Sequence, residues 1–158
     1  MSRFSLSSWV FALLVVMLGT GCDDAPNFDE QQSIDRMIIE EYIATNNLVG
    51  EFTDTGVFYS IDDPGVGTET PTVASTIQII YTGTLLDGTV FDSSDGFPVS
   101  FPVFNLIRGW QIGLEFFKKE SSGVMIIPSR LAYGTRGSFA IDPNTVIRFD
   151  IELLDFTN

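Results

Sequence analysis

The chain has 158 residues, is 44% apolar, and contains 21 acidic against 8 basic side chains, for a formal net charge of −13. That length and apolar content suit one globular domain plus an export signal rather than a disordered tail, and the acidity argues against binding a phosphate backbone, so no nucleic acid is expected as a partner. With no His and a single Cys, the usual general base, Ser–His and Cys–His nucleophile pairs, intramolecular disulfides and Cys-cluster zinc sites are all excluded, so any chemistry here is expected to run without metal or proton shuttle, and no cofactor is expected.

Residues 1–21 read as a secretory signal: Arg3 is the positive start, Trp9 to Leu18 the apolar stretch, and Gly19, Thr20 and Gly21 the small residues before Cys22. The apolar run is about half of the ~20 residues that a spanning helix needs, so a transmembrane anchor is the weaker reading. The site around Cys22 resembles the bacterial lipobox, with Leu18 displaced by one from the usual position and Gly19 in its place. That resemblance implies lipid attachment at Cys22, a membrane partner through the lipid anchor, and a place in the bacterial cell envelope, periplasmic or surface-exposed. An ordinary signal peptide with an incidental Cys is the alternative.

Residues 22–28 form a polar, Pro-containing tether. Over 29–54 an N-terminal helix and linker are expected. Helical spacing runs from Phe28 to Asn46, with Ile34, Met37, Ile38 and Tyr42 on one stripe and Asp29, Glu30 and Asp35 toward the N-terminal end. Packing on the domain is the more natural role for such a helix, and self-association the other; a monomer is the default.

From residue 55 to 158 the period shifts to that of strands. Val57 to Ile61 forms one, ended by the turn-rich Asp62-Asp63-Pro64-Gly65-Val66-Gly67. Thr76 to Leu85 forms a longer one, and Asp87-Gly88 makes the hairpin turn into Val90 and Phe91. Val99 to Phe104 is a further strand that Pro102 confines to an edge or bulge. Leu106, Trp110, Leu114 and Phe117 recur at helical spacing as a stripe facing a sheet, with Lys118 and Lys119 at the helix's negative end. Gly123 to Ile127 resumes as a strand and stops at Pro128. In the last strand Ile147, Phe149, Ile151 and Leu153 point inward and Arg148, Asp150 and Glu152 outward. The fold class is therefore α+β: a twisted antiparallel sheet, or half-barrel, wrapped around one short α-helix and preceded by an N-terminal helix.

From about Gly56 to Phe156 the sequence resembles the FKBP immunophilins. The likeness rests on Tyr81-Thr82-Gly83, Asp87-Gly88-Thr89-Val90-Phe91-Asp92-Ser93-Ser94, Ile107-Arg108-Gly109-Trp110, Ile127-Pro128, Leu131-Ala132-Tyr133-Gly134 and Phe149-Asp150-Ile151-Glu152-Leu153-Leu154, in that order. The resemblance implies an FKBP-type peptidyl-prolyl cis–trans isomerase acting on proline-containing polypeptides, and a basin able to take macrolides of the tacrolimus/rapamycin type. It implies Trp110 as the floor, Tyr81, Phe91 and Phe149 as walls, Leu106 and Ile107 beside them, the Tyr133 hydroxyl at the rim and the Asp92 carboxylate at the edge. The Ile107 N–H would bond the substrate chain, and Asp92 would orient the site electrostatically rather than serve as a base.

Without that likeness each of these residues has a plainer reading: Trp110, Tyr81 and Phe149 as core, Asp92 as a turn cap, Tyr133 as a loop anchor. Two departures stand out. Val99 occupies the place of a wall Phe, which implies a wider pocket. The loop Ser138 to Asn144 is short, with Asp142 where Pro is common, Ile141 as an apolar contact and Phe139 over the mouth. The competing functional classes are an envelope isomerase assisting the folding of exported proteins, a catalytically weak chaperone or assembly factor gripping proline segments, and a structural lipoprotein of a larger complex.

Overall fold

The structure is a computed structural model that describes residues 27–158; the signal segment, Cys22 and most of the tether lie outside the described residues. Helix α1 spans Phe28–Asn46. Strands follow at Glu51–Phe52 (β1), Phe58–Asp63 (β2), Thr76–Leu85 (β3), Val90–Ser93 (β4) and Val99–Pro102 (β5), then helix α2 at Arg108–Gly113, and strands β6 (Ser121–Ile127) and β7 (Ile147–Thr157). All pairings are antiparallel, in the order β1-β2-β6-β7-β3-β4, with β5 on the far half of β3 beside β4. The sheet thus begins at residue 51, inside the stretch expected as linker.

Alternation along the strands sorts two apolar layers. On β7, Ile147, Phe149, Ile151 and Leu153 are buried in the main core, together with Met125 and Ile127 of β6 and Trp110, Leu114 and Phe117 from the α2 segment. The other face of β6 gives Val124 and Ile126 to a second cluster with Phe58 and with Ile39 of α1. Because β6 is covered on both faces, it reads as a continuous apolar run rather than an alternation. The α2 segment is shorter than the stripe from Leu106 to Phe117 suggested. Six α-helical residues pass into a 3-10 turn at Leu114–Phe116, and Lys118 and Lys119 lie beyond its end.

Helix α1 is capped by Asn27, whose side chain accepts from the Glu30 N–H at 3.1 Å, and ends at Asn47 in the left-handed conformation with φ 53°. Its buried line meets the predicted stripe only in part: Ile34 is half-buried and Tyr42 packs half-buried against the second cluster, whereas Met37 and Ile38 face solvent, and the fully sequestered positions are Asp35 and Ile39. The reason is that a charged residue occupies an inward position. The Asp35 carboxylate accepts from the Ser129 N–H at 2.8 Å and the Ser129 hydroxyl at 2.7 Å on one oxygen, and from the Gln31 amide at 2.7 Å on the other. Burying a carboxylate costs several kcal/mol of lost hydration, which these bonds offset, while a Ser129 N–H left unpaired in this buried position would cost about 1–3 kcal/mol. Two further ties hold α1 to the sheet. The Arg36 guanidinium stacks 3.3 Å from the Phe52 ring centre, and Arg148 donates to the Tyr42 hydroxyl at 2.9 Å.

The Pro64–Gly67 turn rests against the segment that leads into β6. Val66 N–H donates to Lys119 C=O at 2.7 Å, and a Cβ on Gly65 would stand 2.3 Å from that carbonyl oxygen, at a φ of +66°. Glycine is required there on both counts.

Candidate active site

An apolar basin opens between the concave face of the sheet and α2, with a cavity of about 220 Å³ lined by Tyr81, Asp92, Phe101, Asn105, Leu106, Ile107, Trp110, Tyr133 and Phe149. Trp110, 3% exposed, is its floor. Its ring meets those of Phe149 and Tyr81 edge-on, at 4.9 Å and 85° and at 5.3 Å and 87°, the geometry that aromatic quadrupoles favour. Floor and walls come from different elements, and glycines allow their approach. A Cβ on Gly109 would lie 2.3 Å from Ile127 of β6, so its absence sets α2 directly on the sheet. A Cβ on Gly83 would lie 2.7 Å from Phe149 and 2.8 Å from Phe91, so a bare backbone on β3 makes room for both rings.

Polar groups are few and placed at the edge. The Tyr81 hydroxyl donates to Asp92 at 2.9 Å. Burial first, then this hydrogen bond and the Asp92 charge, pushes the Tyr81 phenol up to about 12, and burial followed by the Asp92 charge raises Tyr133 as well. Both phenols therefore stay protonated donors throughout the neutral range. Ile107, in extended conformation just before α2, accepts from the Trp110 and Gln111 N–H groups through its carbonyl, while its own N–H bonds to nothing among the described residues.

The raised phenols have a measurable consequence. An unfolded chain releases Tyr protons near 10, whereas folded Tyr81 holds its proton to about 12. The resulting stability is whole below pH 10 and erodes as pH rises from there through 12. Tyr59, Tyr133 and Lys119 are shifted in the same direction. Urea midpoints should therefore fall between pH 9 and pH 11, and fall less in Tyr81→Phe. An equal fall in both proteins would mean that Tyr81 contributes nothing to it.

Of the residues singled out from sequence, Tyr81, Asp92, Leu106, Ile107, Trp110, Tyr133 and Phe149 converge on the basin. Phe91 stands one layer back, edge-on to Phe149 at 5.6 Å and to Tyr133 at 6.5 Å, so that it buttresses the wall. Val99 does not reach the cavity. It shares a face of β5 with Phe101, but its short side chain packs beside the core opposite Ile79, whereas the longer Phe101 ring comes within 6.2 Å of Tyr81. Phe101 therefore supplies an aromatic wall on this side of the basin. Ile141 turns inward, 3% exposed, into the main core, and Phe139 projects wholly into solvent rather than over the mouth. Both placements follow from the tight turn closed by the Ser138 N–H to the Ile141 carbonyl at 2.7 Å, which puts Phe139 at its tip. Phe101 and Asn105 are the lining residues that the sequence reading passed over; the period-2 relation of Phe101 to Val99 was the available signal.

The family model described as FKBP-type peptidyl-prolyl cis-trans isomerase matches residues 67–154, more than half of the chain. The chain belongs to this family. It is 40% identical over 119 residues to the FKBP-type peptidyl-prolyl cis-trans isomerase FkpA of Aeromonas hydrophila, covering 73% of this chain and 44% of that protein. It is 42% identical over 105 residues to FkpA of Escherichia coli K12, covering 65% and 38%. The chain spans less than half the length of these curated relatives. The crystal structure of Escherichia coli FkpA superposes with a TM-score of 0.70 at 34% identity, over 82% of this chain and 62% of that one. A peptidyl-prolyl cis-trans isomerase from Pseudomonas syringae pv. tomato DC3000 superposes at 0.71 with 29% identity, over 85% and 98%. The basin of this FKBP-type domain, from Tyr81 to Phe149, lies within the matched stretch, whereas α1, β1 and β2 precede it.

Proposed function

We propose that this protein catalyses cis–trans isomerisation of X–Pro bonds in exported polypeptides at the bacterial cell envelope, held to a membrane by lipid on Cys22. The observation that supports the reading best is the basin itself: an aromatic floor and walls with a few donors at the rim. Rotation about an X–Pro bond crosses a barrier of roughly 20 kcal/mol, because it breaks amide resonance. Water favours the planar, more polar amide, and a basin floored by Trp110 and walled by Tyr81, Phe101 and Phe149 replaces water around the imide. A cavity that fits the twisted form better than either planar isomer lowers the barrier without a base or a metal. The Ile107 N–H and the Tyr133 hydroxyl supply donors for the substrate backbone. Asp92, holding the Tyr81 hydroxyl, acts as a fixed negative charge that orients the edge. The basin would also accept a macrolide of the tacrolimus/rapamycin type as a competitor.

The reading of a proline-gripping chaperone with little turnover rests on the altered wall at Val99 and the short loop Ser138 to Asn144; Phe101 supplies an aromatic ring to the basin beside Val99. Exchange NMR on a panel of X–Pro peptides tests the isomerase directly. The purified protein should accelerate exchange, and Tyr133→Phe should lower kcat/KM by roughly 2- to 10-fold, the worth of one hydrogen bond. Binding of peptides without acceleration would return the chaperone reading. In cell fractions, Cys22→Ser should move the protein from membrane to soluble material, and an unchanged distribution would count against the lipid.

A further inference from the structure

Asp35 is a buried charged group for which the isomerase reading has no use. It lies on α1, outside the basin, and is fully sequestered. One carboxylate oxygen takes both donors of Ser129, a residue 94 positions away in sequence. Ser129 opens the 3-10 turn Ser129–Leu131, whose first N–H groups have no partner within the turn itself. Asp35 thus serves as an N-cap supplied from another element. The turn then passes its geometry on: the Ala132 N–H donates to the Ser129 carbonyl at 3.0 Å, and Tyr133, at the rim of the basin, is the next residue. A second tie from outside grips the same turn, where Arg130 donates to the carbonyl of Thr55. On its far side Tyr133 is followed by Gly134, whose carbonyl accepts from the Asn144 N–H at 2.9 Å.

If adhesion of α1 were all that mattered, an apolar residue beside Ile39 would serve at lower cost than a buried carboxylate. What a carboxylate adds is direction. It fixes where the turn begins to within hydrogen-bond geometry, and misplacing a reacting or binding group by about 1 Å can cost up to 100-fold in rate. We propose that Asp35 is a positioning residue for the site: through Ser129 it sets the Tyr133 hydroxyl at the basin rim, which makes the N-terminal helix part of the catalytic apparatus. This inference rests on the isomerase reading and extends it to an element outside the matched family stretch.

The test compares wild type, Asp35→Asn, Tyr133→Phe and the double variant, using X–Pro exchange and tyrosine-resolved NMR titration. Asp35→Asn turns an acceptor toward a donor and should lower kcat/KM in a protein that still folds, by up to the roughly 2- to 10-fold that Tyr133→Phe costs, since it acts through that hydroxyl. The Tyr133 titration should move back toward 10 as its ring loosens from the wall, while Tyr81 stays near 12. In the Tyr133→Phe background, Asp35→Asn should add little, since the two act through one group. A full, additive loss in the double variant, or a folded Asp35→Asn with unchanged kcat/KM and unchanged Tyr133 titration, overturns the proposal. Should Asp35→Asn not fold, Ser129→Ala takes its place; it removes one of the two donors and should shift Tyr133 in the same direction by less, and no shift would overturn the proposal. If wild type accelerates no exchange, the isomerase reading falls, and the response of the Tyr133 titration alone decides whether the clamp exists.

Discussion

Replacing Trp110 by Ala should remove most X–Pro turnover and leave a folded but weakened protein. The indole is 3% exposed and carries the edge-on contacts to Tyr81 and Phe149. Truncating a buried Trp costs about 3–5 kcal/mol, a large share of the ~5–15 kcal/mol that holds a domain together. The floor of the basin would become a void open to water on its upper side. Water there would solvate the planar amide again, and the rings of Tyr81 and Phe149 would lose the surface that orients them. A loss of about 1.4–3 kcal/mol of transition-state stabilisation corresponds to roughly 10- to 100-fold in kcat/KM. Urea unfolding and exchange NMR on the same sample separate the two effects. A folded Trp110→Ala protein with unreduced kcat/KM would place the chemistry somewhere other than this basin.

Much of this site can be read from sequence because its residues fall on strongly patterned elements. The alternation of β7 puts Phe149 inside without reference to any relative, and the apolar spacing around Trp110 does the same for the floor. Resolution fails where a face is shared or a sign is unexpected. Val99 and Phe101 lie on the same side of β5, and periodicity cannot say which one reaches a cavity; side-chain length decides it. On α1 the inward line runs through Asp35, which any hydropathy pattern assigns to solvent; of the stripe Ile34, Met37, Ile38 and Tyr42, Tyr42 packs inward while Met37 and Ile38 face solvent. The partner that makes a buried Asp tolerable is Ser129, too distant in sequence for local spacing to reveal. The Phe139 turn failed differently: nothing in a short loop's composition tells whether its tip folds over a pocket or away from it. Local periodicity thus recovers the layers, and long-range polar pairing does not show in it.

The second large effect is expected at a residue without a side chain. Gly109→Ala should destabilise the domain by about 1–3 kcal/mol, as overpacking does, although Ala is the better helix former by about 1 kcal/mol. The added Cβ would stand 2.3 Å from Cγ2 of Ile127 and 2.9 Å from its Cδ1. Ile127 is fully buried, and its β-branched side chain has few rotamers to move into. The overlap must therefore lift α2 from β6, and Trp110, the next residue, rises with it into the basin. Gly113 provides the control. A Cβ there meets Met125 at its sulfur, 2.1 Å away, and an unbranched thioether can swing aside. Gly113→Ala should accordingly cost less than Gly109→Ala despite the shorter contact, and should disturb kcat/KM less. Making room on the other side supplies the decisive variant: Gly109→Ala combined with Ile127→Ala should lose less stability and turnover than the two single variants summed, because Ala at 127 lacks the Cγ2, Cγ1 and Cδ1 atoms that the added Cβ would meet. If the combined variant were no better than the sum of its parts, the close approach of α2 to β6 would not be what sets the height of the basin floor.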